Sequence, residues 1–133
     1  MSELKKWLIA TNGSKYASAA VKYSAELYKD LRYEPEVCIL VVAVDDEAET
    51  EAKAIIELAK YMFENEIDKE VNLSTVVAIG EPGKVIVEQM KSQKSHHLFI
   101  GGADFKWDIN DKSPGGISNY IIHNLTGGVT VIK

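Results

Sequence analysis

The chain has 133 residues, a formal net charge of −5, 46% hydrophobic and 26% charged residues. That suits one soluble globular domain, with a core large enough to fold alone, spanning residues 1–133. An acidic balance excludes nucleic acid and anionic membrane as main partners, since phosphate neutralisation needs a basic face.

The first apolar run, Trp7 to Thr11, ends in Asn12-Gly13-Ser14, a strand followed by turn chemistry. Ala17, Ala20, Val21, Ser24, Leu27, Tyr28 and Leu31 then recur at helical spacing, with Ser14 placed to cap the helix. Pro35 separates this helix from Val37 to Val44, an unbroken apolar run as expected of a strand covered on both faces. The sole cysteine, Cys38, lies inside that run and reads as a small buried hydrophobe. Asp45 to Glu51 is an acidic, solvated helix start. Behind it, Ile55, Ile56, Leu58, Ala59, Met62 and Phe63 predict the inward stripe of a second helix.

Val71 to Ala78 predicts a third strand, less apolar and so nearer an edge. Gly80-Glu81-Pro82-Gly83 is a turn, and Val85, Ile86, Gln89 and Met90 mark a third helix. His97 to Ile100 predicts a buried fourth strand, followed by the pair Gly101-Gly102 and a polar loop. A second pair, Gly115-Gly116, opens a short helix with Ile117 and Ser118, and Val129 to Ile132 closes the sheet.

Strands alternating with helices predict a single-domain α/β fold, a doubly wound five-stranded parallel sheet with helices on both faces. With strand one central, the order is 3-2-1-4-5, and the winding reverses between strands one and four. Ligands of such sheets sit beyond the strands' carboxyl ends at that reversal. Asn12-Gly13-Ser14 and Gly101-Gly102 therefore share one crevice. Glycines before a helix let backbone N–H groups approach an anion, and the helix end adds roughly half a positive charge. The expected ligand is a nucleotide.

At these residues the chain resembles the universal stress proteins over nearly its whole length. The resemblance rests on Ala10-Thr11-Asn12-Gly13-Ser14, on Val42-Ala43-Val44-Asp45 ending the second strand, and on Val77 to Pro82. Gly115-Gly116-Ile117-Ser118 and Val129-Thr130-Val131-Ile132 complete it. It implies an adenine nucleotide, ATP or AMP, with Mg²⁺ accompanying ATP. The implied contacts are Thr11, Asn12, Gly13, Ser14, Val42, Ala43, Gly101, Gly102, Gly115, Gly116, Ile117 and Ser118. It also implies a cytoplasmic stress-response homodimer joined through Val129, Thr130, Val131 and Ile132, an edge strand of the kind that tends to pair. Neither an apolar leader before Trp7 nor a membrane-length apolar run contradicts the cytoplasm.

The nucleotide motif of that family runs Gly, two residues, Gly, nine residues, Gly, then Ser or Thr. Counted from Gly101, the second glycine is Asp104, and ten residues (Phe105 to Pro114) precede Gly115. Counted from Gly102, the spacing of nine returns, but Phe105 replaces the second glycine. Either way Gly116 stands in place of the hydroxyl residue. Asp104 would set a carboxylate near an anion, and a missing hydroxyl removes a donor worth about 1 kcal/mol. The reading is a partly degraded site. The alternative is a member without nucleotide that acts as a protein-interaction scaffold for an unknown partner. No base and nucleophile are organised by the sequence, so slow ATP hydrolysis, with Asp104 or Asp45 holding Mg²⁺, is the most that catalysis could amount to. Trp107, Lys106 and Lys112 decorate the polar loop. His96-His97 cannot chelate a metal together, because neighbouring strand residues face opposite sides.

Overall fold

In a computed structural model of the chain, which describes residues 5–101 and 116–132, five strands and four helices alternate. They are β1 Lys6–Ala10, α1 Lys15–Asp30, β2 Glu36–Ala43, α2 Glu49–Asn65, β3 Leu73–Ile79, α3 Pro82–Ser92, β4 His97–Gly101, α4 Gly116–Asn124 and β5 Gly128–Ile132. All strand pairs are parallel, and the order is β3-β2-β1-β4-β5. The expected topology is thus observed, with β1 central and β3 and β5 at the edges.

Two cores follow from the pleat, since successive side chains leave a strand on opposite faces. Trp7, Ile9, Val37, Ile39, Val41 and Phe99 meet α1 and α2. Leu8, Cys38, Leu40, Leu98 and Ile100 meet α3 and α4. The first core is aromatic. Trp7 lies 4.8 Å from Phe99 and edge-on to Tyr28 at 6.1 Å, and Tyr28 is edge-on to Phe63 at 5.8 Å. Such pairs add about 0.5–1.5 kcal/mol each beyond the area they bury. The second core is aliphatic around Val85, Ile86, Met90 and Ile121. Cys38 is buried in it as expected.

Helix boundaries obey local chemistry. The Ser14 hydroxyl accepts the Ala17 N–H at 3.2 Å, as an N-cap should. Pro82 occupies the first turn of α3, where its missing N–H is harmless. The acidic start predicted for the second helix is a separate 3-10 turn over Asp46–Ala48, capped by the Asp45 carboxylate, which accepts the Ala48 N–H at 2.9 Å. Two apolar residues depart from their predicted inward stripes. Leu58 is 60% exposed and Leu27 37%. Leu58 lies two residues from the buried Ile56, which turns it roughly 200° around the axis and out of the core. No helix among the described residues is long and apolar enough to cross a membrane.

Candidate functional site

The carboxyl ends of β1 and β4 lie side by side, because the two strands pair directly. The chain leaves β2 and β3 on one side and β5 on the other, so this is the point where winding reverses. The turn after β1 is built from its own polar groups. The Thr11 N–H donates to the Leu40 carbonyl at 3.0 Å, which ties the turn to β2. The Thr11 hydroxyl accepts the Gly13 N–H at 3.2 Å, and the Asn12 side-chain oxygen accepts the Ser14 N–H at 3.0 Å. With Ser14 capping Ala17, each of these three side chains already has a backbone donor. Gly13 has φ +80°, a left-handed conformation that disfavours a side chain. A Cβ there would also come within 3.1 Å of Ile55 on α2.

Gly101 ends β4 and packs against the first turn of α1. A Cβ on it would overlap the backbone of Tyr16 and Ala17. Ala17 and Ala20, both buried, let the helix come this close to the sheet. Sequence reasoning assigns Gly101 to phosphate and misses this contact. The only hint was the pair of small residues on α1, which does not by itself say which strand they approach.

Val42 and Ala43 end β2 but turn to opposite faces. Ala43 joins the core under α1 and α2, and Val42 packs against the core under α3 and α4. Their side chains therefore cannot line the same wall. Gly116, Ile117 and Ser118 form the first turn of α4. Gly102 and Gly115 lie outside the described residues, as do Asp104, Phe105, Trp107, Lys106 and Lys112.

The two neighbouring histidines serve strand contacts at the other end of the sheet. The His96 Nδ1 accepts the Lys6 backbone N–H at 3.0 Å. The His97 Nε2 and the Thr130 Oγ1 are 2.6 Å apart, joining β4 to β5. Burial holds the His97 imidazole below its ordinary pKa, and the Lys5 ammonium adds to this. Among the described residues there is no cluster of three potential metal ligands.

No family model and no curated protein matches the sequence. Solved structures do match. A universal stress protein in complex with cAMP superposes with TM-score 0.82 at 15% identity, covering 98% of both chains. The universal stress protein from Archaeoglobus fulgidus in complex with dAMP gives 0.71 at 18% identity, covering both chains fully. The universal stress protein UspA from Lactobacillus plantarum gives 0.63 at 13% identity, again over both whole chains. The chain therefore has the universal stress protein fold, as its sequence resemblance implied.

Proposed function

We propose that this chain is a universal stress protein-like homodimer that binds an adenine nucleotide, ATP or AMP, between the carboxyl ends of β1 and β4. One observation carries the reading: the sheet reverses its winding at the Asn12-Gly13-Ser14 turn, and structures with this fold hold cAMP and dAMP. Phosphate would meet N–H groups at the start of α4, where the sequence carries Gly115 and Gly116. Mg²⁺ would accompany ATP. Binding is weaker than an intact glycine motif would give. The hydroxyl absent at Gly116 alone removes about 1 kcal/mol, or roughly fivefold in affinity.

The role is binding rather than catalysis. The Ser14 hydroxyl is committed to capping α1, and Asn12 carries no carboxylate to act as base. Slow ATP hydrolysis is the upper limit of its chemistry. Dimerisation through Val129, Thr130, Val131 and Ile132 is supported by the place of β5 at the sheet edge, half-buried along its length. A cytoplasmic stress role accords with this reading. A scaffold without nucleotide is the second reading. It is favoured by the self-satisfied turn after β1, whose side-chain oxygens need no ligand.

Calorimetric titration with ATP plus Mg²⁺, and separately with AMP, decides between them. Saturable heat, together with adenine nucleotide co-purifying with the protein, supports the nucleotide site. No heat at millimolar ligand ends it. Gly115→Val should abolish binding; ATP retained by that variant would move the phosphate away from the glycine turn. Light scattering should give twice the chain mass.

A further inference from the structure

A cleft of about 470 Å³ lies at the opposite end of the sheet, between the end of α3 and the segment 125–127 that joins α4 to β5. That volume is in the range of small-molecule sites. Met90 and Leu125 supply apolar surface, and Lys91, Lys94, Ser95 and His96 supply polar groups. The described lining carries two ammonium groups, an imidazole and two hydroxyls, and no carboxylate.

Two features of this lining set it apart from ordinary surface. First, α3 ends in a Schellman arrangement: the Lys94 N–H donates to the Lys91 carbonyl at 3.2 Å and the Ser95 N–H to the Met90 carbonyl at 2.9 Å. The left-handed residue of that arrangement, normally glycine, is Lys94 at φ 55°. Second, the His96 Nδ1 accepts a backbone N–H, so the neutral ring carries its proton on Nε2 and offers a donor.

Lys91 alone would mean little, because a cation in the last turn offsets the partial negative charge of a helix end. Lys94 meets the same partial charge one position past the C-cap, but in a backbone conformation that glycine would adopt with less strain, and it lines the cleft. We propose that this cleft binds a small organic anion, a carboxylate or phosphate monoester with a short apolar body. Lys94 and Lys91 would hold the charge, His96 would donate a hydrogen bond, and Met90 and Leu125 would cover the apolar part.

The test is a titration of the isotope-labelled full chain with phenyl phosphate and, separately, benzoate, followed by amide resonances, with benzyl alcohol as the uncharged counterpart. Both anions should give saturable shifts at Ser95, His96 and Gly127 below about 10 mM, weakening with added salt. Benzyl alcohol should give none. Lys94→Gly should bind about tenfold more weakly while melting at a higher temperature, opposite signs that separate the ligand role from the backbone role. The proposal is overturned by no saturable shift at about 10 mM, by equal affinity in Lys94→Gly, or by benzyl alcohol binding as well as phenyl phosphate. Neither probe contains adenine, so failure here leaves the nucleotide reading untouched.

Discussion

At the carboxyl end of the sheet, glycine stands where the backbone turns left-handed or passes close to another element: Gly13 has φ +80°, and Gly101 fits against α1. At the amino end, a lysine holds the left-handed position that glycine would fill more easily. Lys94 is the one non-glycine residue with positive φ among the described residues. The first region meets its geometric demands with the residue types that physics favours, whereas the second departs from them beside a cleft. Agreement of local choices with the fold marks what stabilises it, and a local departure marks where something other than stability was at stake.

Substituting the carboxyl-end glycines should give the largest effects. Gly101→Ala should lower stability by more than about 3 kcal/mol, because backbone atoms of α1 cannot move aside as a flexible side chain would. Urea denaturation measures it; a change under about 1 kcal/mol would mean that α1 does not sit on β4 as described. Gly13→Ala should cost about 1–2 kcal/mol, from left-handed strain and from crowding against Ile55. Repeating it in an Ile55→Ala background should recover the crowding part and leave the strain. Ser14→Ala should cost about 1 kcal/mol by freeing the Ala17 N–H.

At the amino end the sign reverses. Lys94→Gly should raise stability by about 1 kcal/mol, seen as a higher Tm. A loss would show that the lysine makes contacts outweighing its strained backbone, and the contrast between the two ends would fail.

How much of this was legible beforehand depends on how local the cause is. The strands and their order could be read because apolar runs, turn glycines and helical spacing are encoded within a few residues of one another. The Ser14 cap was legible for the same reason. The exposure of Leu58 could have been read from helical spacing, since it lies two residues and roughly 200° around the axis from Ile56. The opposite facing of Val42 and Ala43 follows from strand periodicity alone and could have been read. The contact of Gly101 with α1 could not: it joins residues more than eighty positions apart and exists only after β4 is laid beside β1. The Schellman end at Lys94 was hidden because the sequence lacks the glycine that usually announces it.

The smallest effect expected concerns the link between β4 and the edge strand. The His97 ring lies 4.8 Å from Phe99, its Nε2 is beside Thr130, and the missing side chain of Gly128 makes room for its Nδ1. Burial and then Lys5 lower its pKa in the folded chain. Below the ordinary imidazole value of about 6.5, the unfolded chain therefore takes up a proton that the folded chain resists. The stability contributed by the neutral ring is present above that pH and lost as pH falls through the lowered folded pKa. His97→Gln, which keeps a polar group but does not titrate, should show a shallower decline in this acid range and the same pH dependence at neutral pH. Because the ring is only half-buried, the difference should be modest. Parallel curves for the two proteins would mean that protonation of His97 does not bear on how β5 is held.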